Sequence, residues 1–317
     1  MSMNGTVINT LDKIVLGGTH QWISVRSNNV DNPLMLFLHG GPGTAQISFS
    51  RKPQKQLEKA FLVVNWDQRG AGKSYNNKLR KQDMTIDRFV MDTEELIEYL
   101  LKRFNQPKLF LVGHSWGSIL GMKLAAQRPD LLWAYIGIGQ VINMMQGEIV
   151  SYQFTLDEAN RRKNYTAKNE LIKIGRPPYA KLKYGGIQRK WLDKFNGYAY
   201  KGSIYGKILR NLTLADTSLI DIIKFVKGAI FSLASLEEQQ MKVDFLNEIQ
   251  EVSIPIYFCT GRRDYTVPFK LVIEFFDKLV APKKEIIWFE RSAHLPNLEE
   301  PDKFCTFCSS IKALASR

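Results

Sequence analysis

The segment Gly113-His114-Ser115-Trp116-Gly117 holds a serine in G-x-S-x-G spacing, after an apolar run at 109–112 and before a helical pattern at Ile119, Met122, Leu124 and Ala125. A serine on a sharp strand-to-helix turn projects its hydroxyl above a sheet, and the helix N-terminus favours negative charge developing there. Such a hydroxyl becomes a nucleophile when a base can take its proton. The chain has four histidines. His20 falls in an expected hairpin, and His39 and His114 sit in loops with other duties. That leaves His294, in Arg291-Ser292-Ala293-His294-Leu295-Pro296, just past a strand expected at 285–289. An imidazole acting as base needs an acid to orient it. Asp264, in Gly261-Arg262-Arg263-Asp264-Tyr265-Thr266-Val267-Pro268, follows a strand expected at 254–259 and fits that role. Asp244 and Asp277 are rivals, but both fall in helical patterns, where a solvated charge is the ordinary reading.

Acyl chemistry also needs donors for the oxyanion. His39-Gly40-Gly41-Pro42-Gly43 follows the apolar run at 34–38, and its glycines let the backbone approach a substrate. The expected oxyanion hole combines the backbone N–H of Gly41 with that of Trp116, the residue after the nucleophile.

These groups lie far apart in sequence, so a scaffold must bring them together. Two β-rich segments, 6–16 and 19–27, meet at Gly17-Gly18 and predict a hairpin. Continuous apolar runs at 34–38, 61–65, 109–112, 134–138, 254–259 and 285–289 predict strands buried on both faces. Helical patterns lie between them, most clearly Ile86, Phe89, Val90, Ile97, Leu100, Leu101 and Phe104. This alternation predicts an α/β fold with a mostly parallel central sheet and helices on both faces. It stops after Gly139, and about a hundred residues pass before the next buried strand, too many for a structureless connection. The expectation is a core domain of residues 1–139 and 241–317, with an inserted, largely helical cap at 140–240. From 141 to 240 the chain has sixteen Lys and Arg against nine Asp and Glu, a balance of +7.

The 317 residues carry a formal charge of +13, but the cations are scattered, with no run of five and no nucleic-acid motif. A solvated surface is expected and no nucleic-acid partner. No stretch is long and apolar enough to span a membrane, and Met1-Ser2-Met3-Asn4-Gly5-Thr6 has no leader pattern. No membrane partner and a cytoplasmic location are therefore expected, and the oligomeric state is left open. The three cysteines, Cys259, Cys305 and Cys308, read as reduced thiols. Cys305 and Cys308 form a lone CxxC at helical spacing with Phe304, Phe307 and Ile311, which suits core packing better than a metal. Gly72-Lys73-Ser74 ends like a phosphate loop, but the first glycine that motif demands is replaced by Asp67.

Taken together, HGGPG at 39–43, WDQRGAGKS at 66–74, GHSWGS at 113–118, and Asp264 with His294 resemble the proline iminopeptidase family of serine peptidases. The resemblance covers the segments on both sides of the insertion. It implies the α/β-hydrolase fold, no cofactor or metal, and removal of an N-terminal residue, often proline, from short peptides. It also implies cap glutamates that hold the substrate α-ammonium within tryptophan-rich helical motifs, and those motifs are not recognised here. The cap glutamates are Glu148, Glu158, Glu170, Glu237 and Glu238, each ordinarily a solvated charge. Glu148, Trp191 and Tyr205 stand as candidates for substrate contact, although core packing is the ordinary role of a cap aromatic.

Three functions remain open at this point: an aminopeptidase-like hydrolase of a small-molecule or short-peptide substrate, a carboxylesterase or lactonase with an apolar acyl pocket, and a non-catalytic small-ligand receptor. The basic cap favours a neutral or anionic substrate over a cationic terminus.

Overall fold

The computed structural model describes residues 6–213 and 217–316. Residues 1–5, where no leader is expected, lie outside them, as do 214–216 within the expected cap, and 317. Eight strands form one sheet: β1 (Ile8–Leu16), β2 (Thr19–Ser27), β3 (Leu34–Leu38), β4 (Leu62–Asp67), β5 (Leu109–His114), β6 (Leu132–Ile138), β7 (Ile256–Gly261) and β8 (Lys284–Phe289). Their order is β1-β2-β4-β3-β5-β6-β7-β8. The hairpin β1–β2 turns at Gly17-Gly18 and pairs antiparallel with β4, and every later pairing is parallel.

Each apolar run splits between two cores because successive strand side chains point to opposite faces. Leu36, Leu111, Tyr135 and Phe258 pack on one side with helices α2 (Ile86–Phe104), α3 (Trp116–Gln127) and α10 (Phe269–Lys278). Phe37, Phe110, Ile136 and Cys259 pack on the other with Cys305 and Cys308 of α12 (Pro301–Ser310). Strand β4 extends two residues past the expected 61–65. Its polar end stays in the sheet because Asn65 is satisfied from the side, by the amides of Gln46 and Gln54. A short helix, α1 (Ile47–Ser50), follows the loop after β3.

Between β6 and β7 the chain forms α4 (Met144–Arg161), α5 (Tyr165–Ile174), α6 (Leu182–Lys194), α7 (Ile204–Asn211) and α8 (Leu219–Gln240). Helices α4 to α6 share an apolar cluster of their own that includes Tyr152, Ala167, Leu171 and Trp191. Two short helices, α9 (Phe245–Glu248) and α11 (Pro296–Glu299), flank the return to the sheet and the His294 loop. Asp244 occupies the position just before the former rather than lying within a helix, and Asp277 lies in α10. Among the described residues, no helix is long and apolar enough to cross a membrane.

Candidate active site

In parallel strands the loops beyond the carboxyl ends come together, and the sequence-derived residues sit in those loops. Ser115 joins β5 to α3 at φ 52, a left-handed conformation that costs a non-glycine residue about 1–3 kcal/mol. Its N–H donates to the Ile138 carbonyl at 2.9 Å, which ties the strained turn to β6. Gly117 lets this turn lie against β3, since a β-carbon there would collide with the Leu38 carbonyl.

His294 and Asp264 are both buried and joined by a 2.8 Å hydrogen bond between Nδ1 and Oδ2. The other carboxylate oxygen, Oδ1, accepts the backbone N–H groups of Thr266 and Val267, each at 2.9 Å, so the carboxylate is aimed before it meets the imidazole. A carboxylate oxygen only accepts, so Nδ1 carries the proton and Nε2 keeps its lone pair. The His294 backbone is held twice: its N–H donates to the Tyr198 carbonyl at 3.1 Å, and its carbonyl accepts from His114 Nε2 at 2.9 Å. Glu299 adds a third brace by accepting the N–H groups of Ala293 and Tyr200, from either side of the joint between the inserted helices and this loop. Gly139, at φ 51, makes room for the pair: a β-carbon there would stand 2.8 Å from the His294 ring and 3.2 Å from Asp264 Oδ2.

Two other histidines surround the site without competing for its chemistry. Burial lowers the His39 pKa to about 4, and burial aided by the neighbouring His294 lowers His114 to about 3. Both are therefore neutral near pH 7. The Gln68 N–H donates to His39 Nε2, which leaves Nδ1 to donate to the Gly40 carbonyl at 2.8 Å and fixes the loop. The Gln68 side chain donates to the His39 carbonyl at 3.1 Å and accepts the Trp116 indole N–H at 2.9 Å. One amide thus links the glycine loop to the residue after Ser115. The rest of WDQRGAGKS is structural as well. Arg69 forms a buried pair with Asp92 at 2.8 Å, and Asp67 accepts the N–H groups of Ile47 and Lys73.

Gly40, Gly41, Ser115, Trp116 and His294 line one cavity of about 100 Å³, small beside pockets of roughly 300–1,000 Å³ that take drug-sized ligands. Trp116 is the first residue of α3, so its N–H has no preceding helical turn to bond to and can serve a ligand. Pro42 and Gly43 complete the loop beneath α8. From the inserted helices and their loops, Met144, Arg189, Tyr198, Ile204, Ile208 and Gln240 close the cavity. Burial pushes the Tyr198 pKa up to about 12, so its phenol stays neutral 5.6 Å from the His294 ring.

None of the three cap candidates, Glu148, Trp191 and Tyr205, is among the residues that line the cavity. Trp191 is core: it is buried among inserted helices, and its indole donates to Glu170 at 2.7 Å. Tyr205 is 80% exposed and does not line the cavity that its neighbour Ile204 lines. Glu148 is buried, but Arg189 pairs with it and is itself the group that reaches the cavity wall. Aromaticity and charge alone did not tell which way these side chains face. The unforeseen residues, Gln68, Gly139, Arg189, Tyr198 and Glu299, act through partners distant in sequence.

Comparison with known proteins gives the fold and the family. The family described as alpha/beta hydrolase fold matches residues 33–301. The chain is 35% identical over 303 residues to "Probable aminopeptidase YbaC" of Bacillus subtilis (strain 168), covering 94% of this chain and 95% of that protein. It is 25% identical over 301 residues to a proline iminopeptidase of Heyndrickxia coagulans, covering 92% and 93%. The crystal structure of a proline iminopeptidase-related protein from Thermus thermophilus superposes with a TM-score of 0.66 at 18% identity, covering 97% of this chain and 98% of that one.

Proposed function

The chain belongs to the α/β-hydrolase fold family and is proline iminopeptidase-like, and from that premise we propose that it is a serine hydrolase releasing an N-terminal residue, often proline, from short peptides or amides. The observation that carries this reading is the 2.8 Å bond from His294 Nδ1 to Asp264 Oδ2, in the same cavity wall as the strained Ser115. Ser115 Oγ attacks the scissile carbonyl while His294 Nε2 takes its proton, and Asp264 stabilises the imidazolium. The oxygen of the tetrahedral intermediate faces the N–H groups of Gly41 and Trp116. Collapse passes the proton from His294 to the leaving amine and leaves an acyl-enzyme. A water activated by the same imidazole then releases the acid. Residues 140–240 serve as a cap over the core of 1–139 and 241–317, and the small cavity suits one short acyl unit.

A specific observation favours a second reading, a carboxylesterase or lactonase. The cap carboxylate nearest in role to an amine anchor, Glu148, is engaged by Arg189, and the cavity wall presents a guanidinium. Comparing proline p-nitroanilide with its N-acetylated form and with short p-nitrophenyl esters separates the two. An aminopeptidase cleaves the free amine and fails on the blocked one. An esterase prefers the esters and is indifferent to the amine.

A further inference from the structure

The connection between α6 and α7 crosses the loops that carry both Asp264 and His294. The Gly197 carbonyl accepts the N–H of Tyr265, the residue after Asp264, at 3.0 Å, and the Tyr198 carbonyl accepts the His294 N–H at 3.1 Å. The Tyr265 ring stacks on Phe154 of α4 with centroids 3.6 Å apart, and the Arg263 guanidinium lies over the Tyr200 ring at 5.2 Å. Gly197 permits this close approach, because a β-carbon there would stand 2.8 Å from the Phe154 ring. At its base the connection is closed by the Ile204 N–H, which donates to the Asp193 carboxylate at 3.2 Å.

Glu299 of α11 fastens this strap from the core side. Its Oε1 accepts the Tyr200 N–H at 2.6 Å and lies 3.1 Å from Lys207 Nζ of α7, while Oε2 accepts the Ala293 N–H at 2.7 Å. Its neighbour Glu300 serves the same loop within the core, accepting the Arg291 N–H and the Ser292 hydroxyl. The Glu299 side chain is 1% exposed. Burial raises its pKa, opposed by the Ala293 N–H, the Lys207 charge and the Tyr200 N–H. A buried ion pair adds little stability over apolar side chains of similar volume, whereas removing one partner leaves a buried charge uncompensated. The worth of this pair is therefore positional: it presses residues 197–200 onto the backbone of the base and beside that of the acid.

We propose that Glu299 and Lys207 are positioning residues for hydrolysis. Their ion pair clasps the inserted helices onto the Asp264 and His294 loops, so that those helices set the direction of the imidazole as well as covering the cavity. Neither side chain lines the cavity. The proposal rests on the serine-hydrolase reading, because the geometry it protects is that of His294 Nε2 towards Ser115 Oγ.

Three variants of the full chain test it: Lys207→Met, Lys207→Arg and Glu299→Gln. The first two lie on α7, none of whose residues is fully buried, so they spare the core. Glu299→Gln keeps the shape but turns an amide NH2 towards one of the two N–H donors. Turnover of a p-nitrophenyl ester, the rate of fluorophosphonate labelling of Ser115, and circular dichroism are measured on each. Lys207→Met and Glu299→Gln are expected to fold and to lose kcat by about 10–100-fold, with labelling slowed in step. KM should change less than about twofold, and Lys207→Arg should recover kcat to within about threefold of the unaltered chain. Unchanged kcat and labelling in Lys207→Met would overturn the proposal, as would a rise in KM at constant kcat or an arginine variant as impaired as the methionine one. Absence of labelling in the unaltered chain would instead overturn the hydrolase reading, and this inference with it.

Discussion

Gln68 accepts the indole N–H of Trp116 at 2.9 Å and, through the other end of the same amide, donates to the His39 carbonyl at 3.1 Å. This side chain holds in register the two segments whose N–H groups are assigned to the oxyanion. Its removal should disturb the transition state more than substrate binding.

Gln68→Ala is accordingly expected to lower kcat by about 10–100-fold, with KM changed little, because each donor is effective only over a few tenths of an ångström. Steady-state kinetics on the best ester or anilide substrate read the split. A rise in KM at constant kcat would assign Gln68 to substrate binding instead.

Gly139→Ala places a methyl 2.8 Å from the His294 ring and 3.2 Å from Asp264 Oδ2, on a residue whose φ of 51 already disfavours a side chain. Loss of kcat of about 100-fold or more is expected in a protein that still folds. Near-normal turnover would mean that the imidazole and carboxylate need not hold this geometry.

The buried, neutral His39 and His114 link stability to pH. Their folded pKa values, about 4 and about 3, lie below the ordinary 6.5, so below pH 6.5 the unfolded chain binds protons that the folded chain refuses. Stability present above pH 6.5 is lost as pH falls towards 4, on the order of 3 kcal/mol between pH 6.5 and 5 for the two together. Asp67, whose pKa burial raises to about 7, binds a proton in the folded chain over the same range and offsets part of that loss. A net fall in the urea midpoint from pH 6.5 to pH 5 is therefore expected, and a higher midpoint at pH 5 would contradict it.

The strands and the residues following them were legible because an apolar run ending in glycine or a charged turn marks the carboxyl edge of a parallel sheet. Ser115, Asp264 and His294 each sit directly past such a run, and elimination among four histidines did the rest. Gln68 was within reach: β3 pairs with β4 at Leu38 and Trp66, so residues just past those two strands must be neighbours. The motif containing Gln68 supports the family resemblance and reads locally as an incomplete phosphate loop, and neither reading points to its amide as a link between the two loops. The inserted helices were legible as a length of chain and not as contacts. Their aromatics and ions face inward or outward according to helix packing that no local pattern records, so Trp191 takes the core role ordinary for a cap aromatic while Tyr198 and Arg189, which line the cavity, carry no signal in the sequence.

The convergence of residues 115, 264 and 294 on one reactive hydroxyl is tested most directly by a fluorophosphonate probe read by intact mass and peptide mapping. A single phosphonyl adduct on Ser115 is expected, absent in Ser115→Ala and strongly slowed in His294→Ala. Equal labelling of Ser115→Ala, or no labelling of the unaltered chain, would contradict the account.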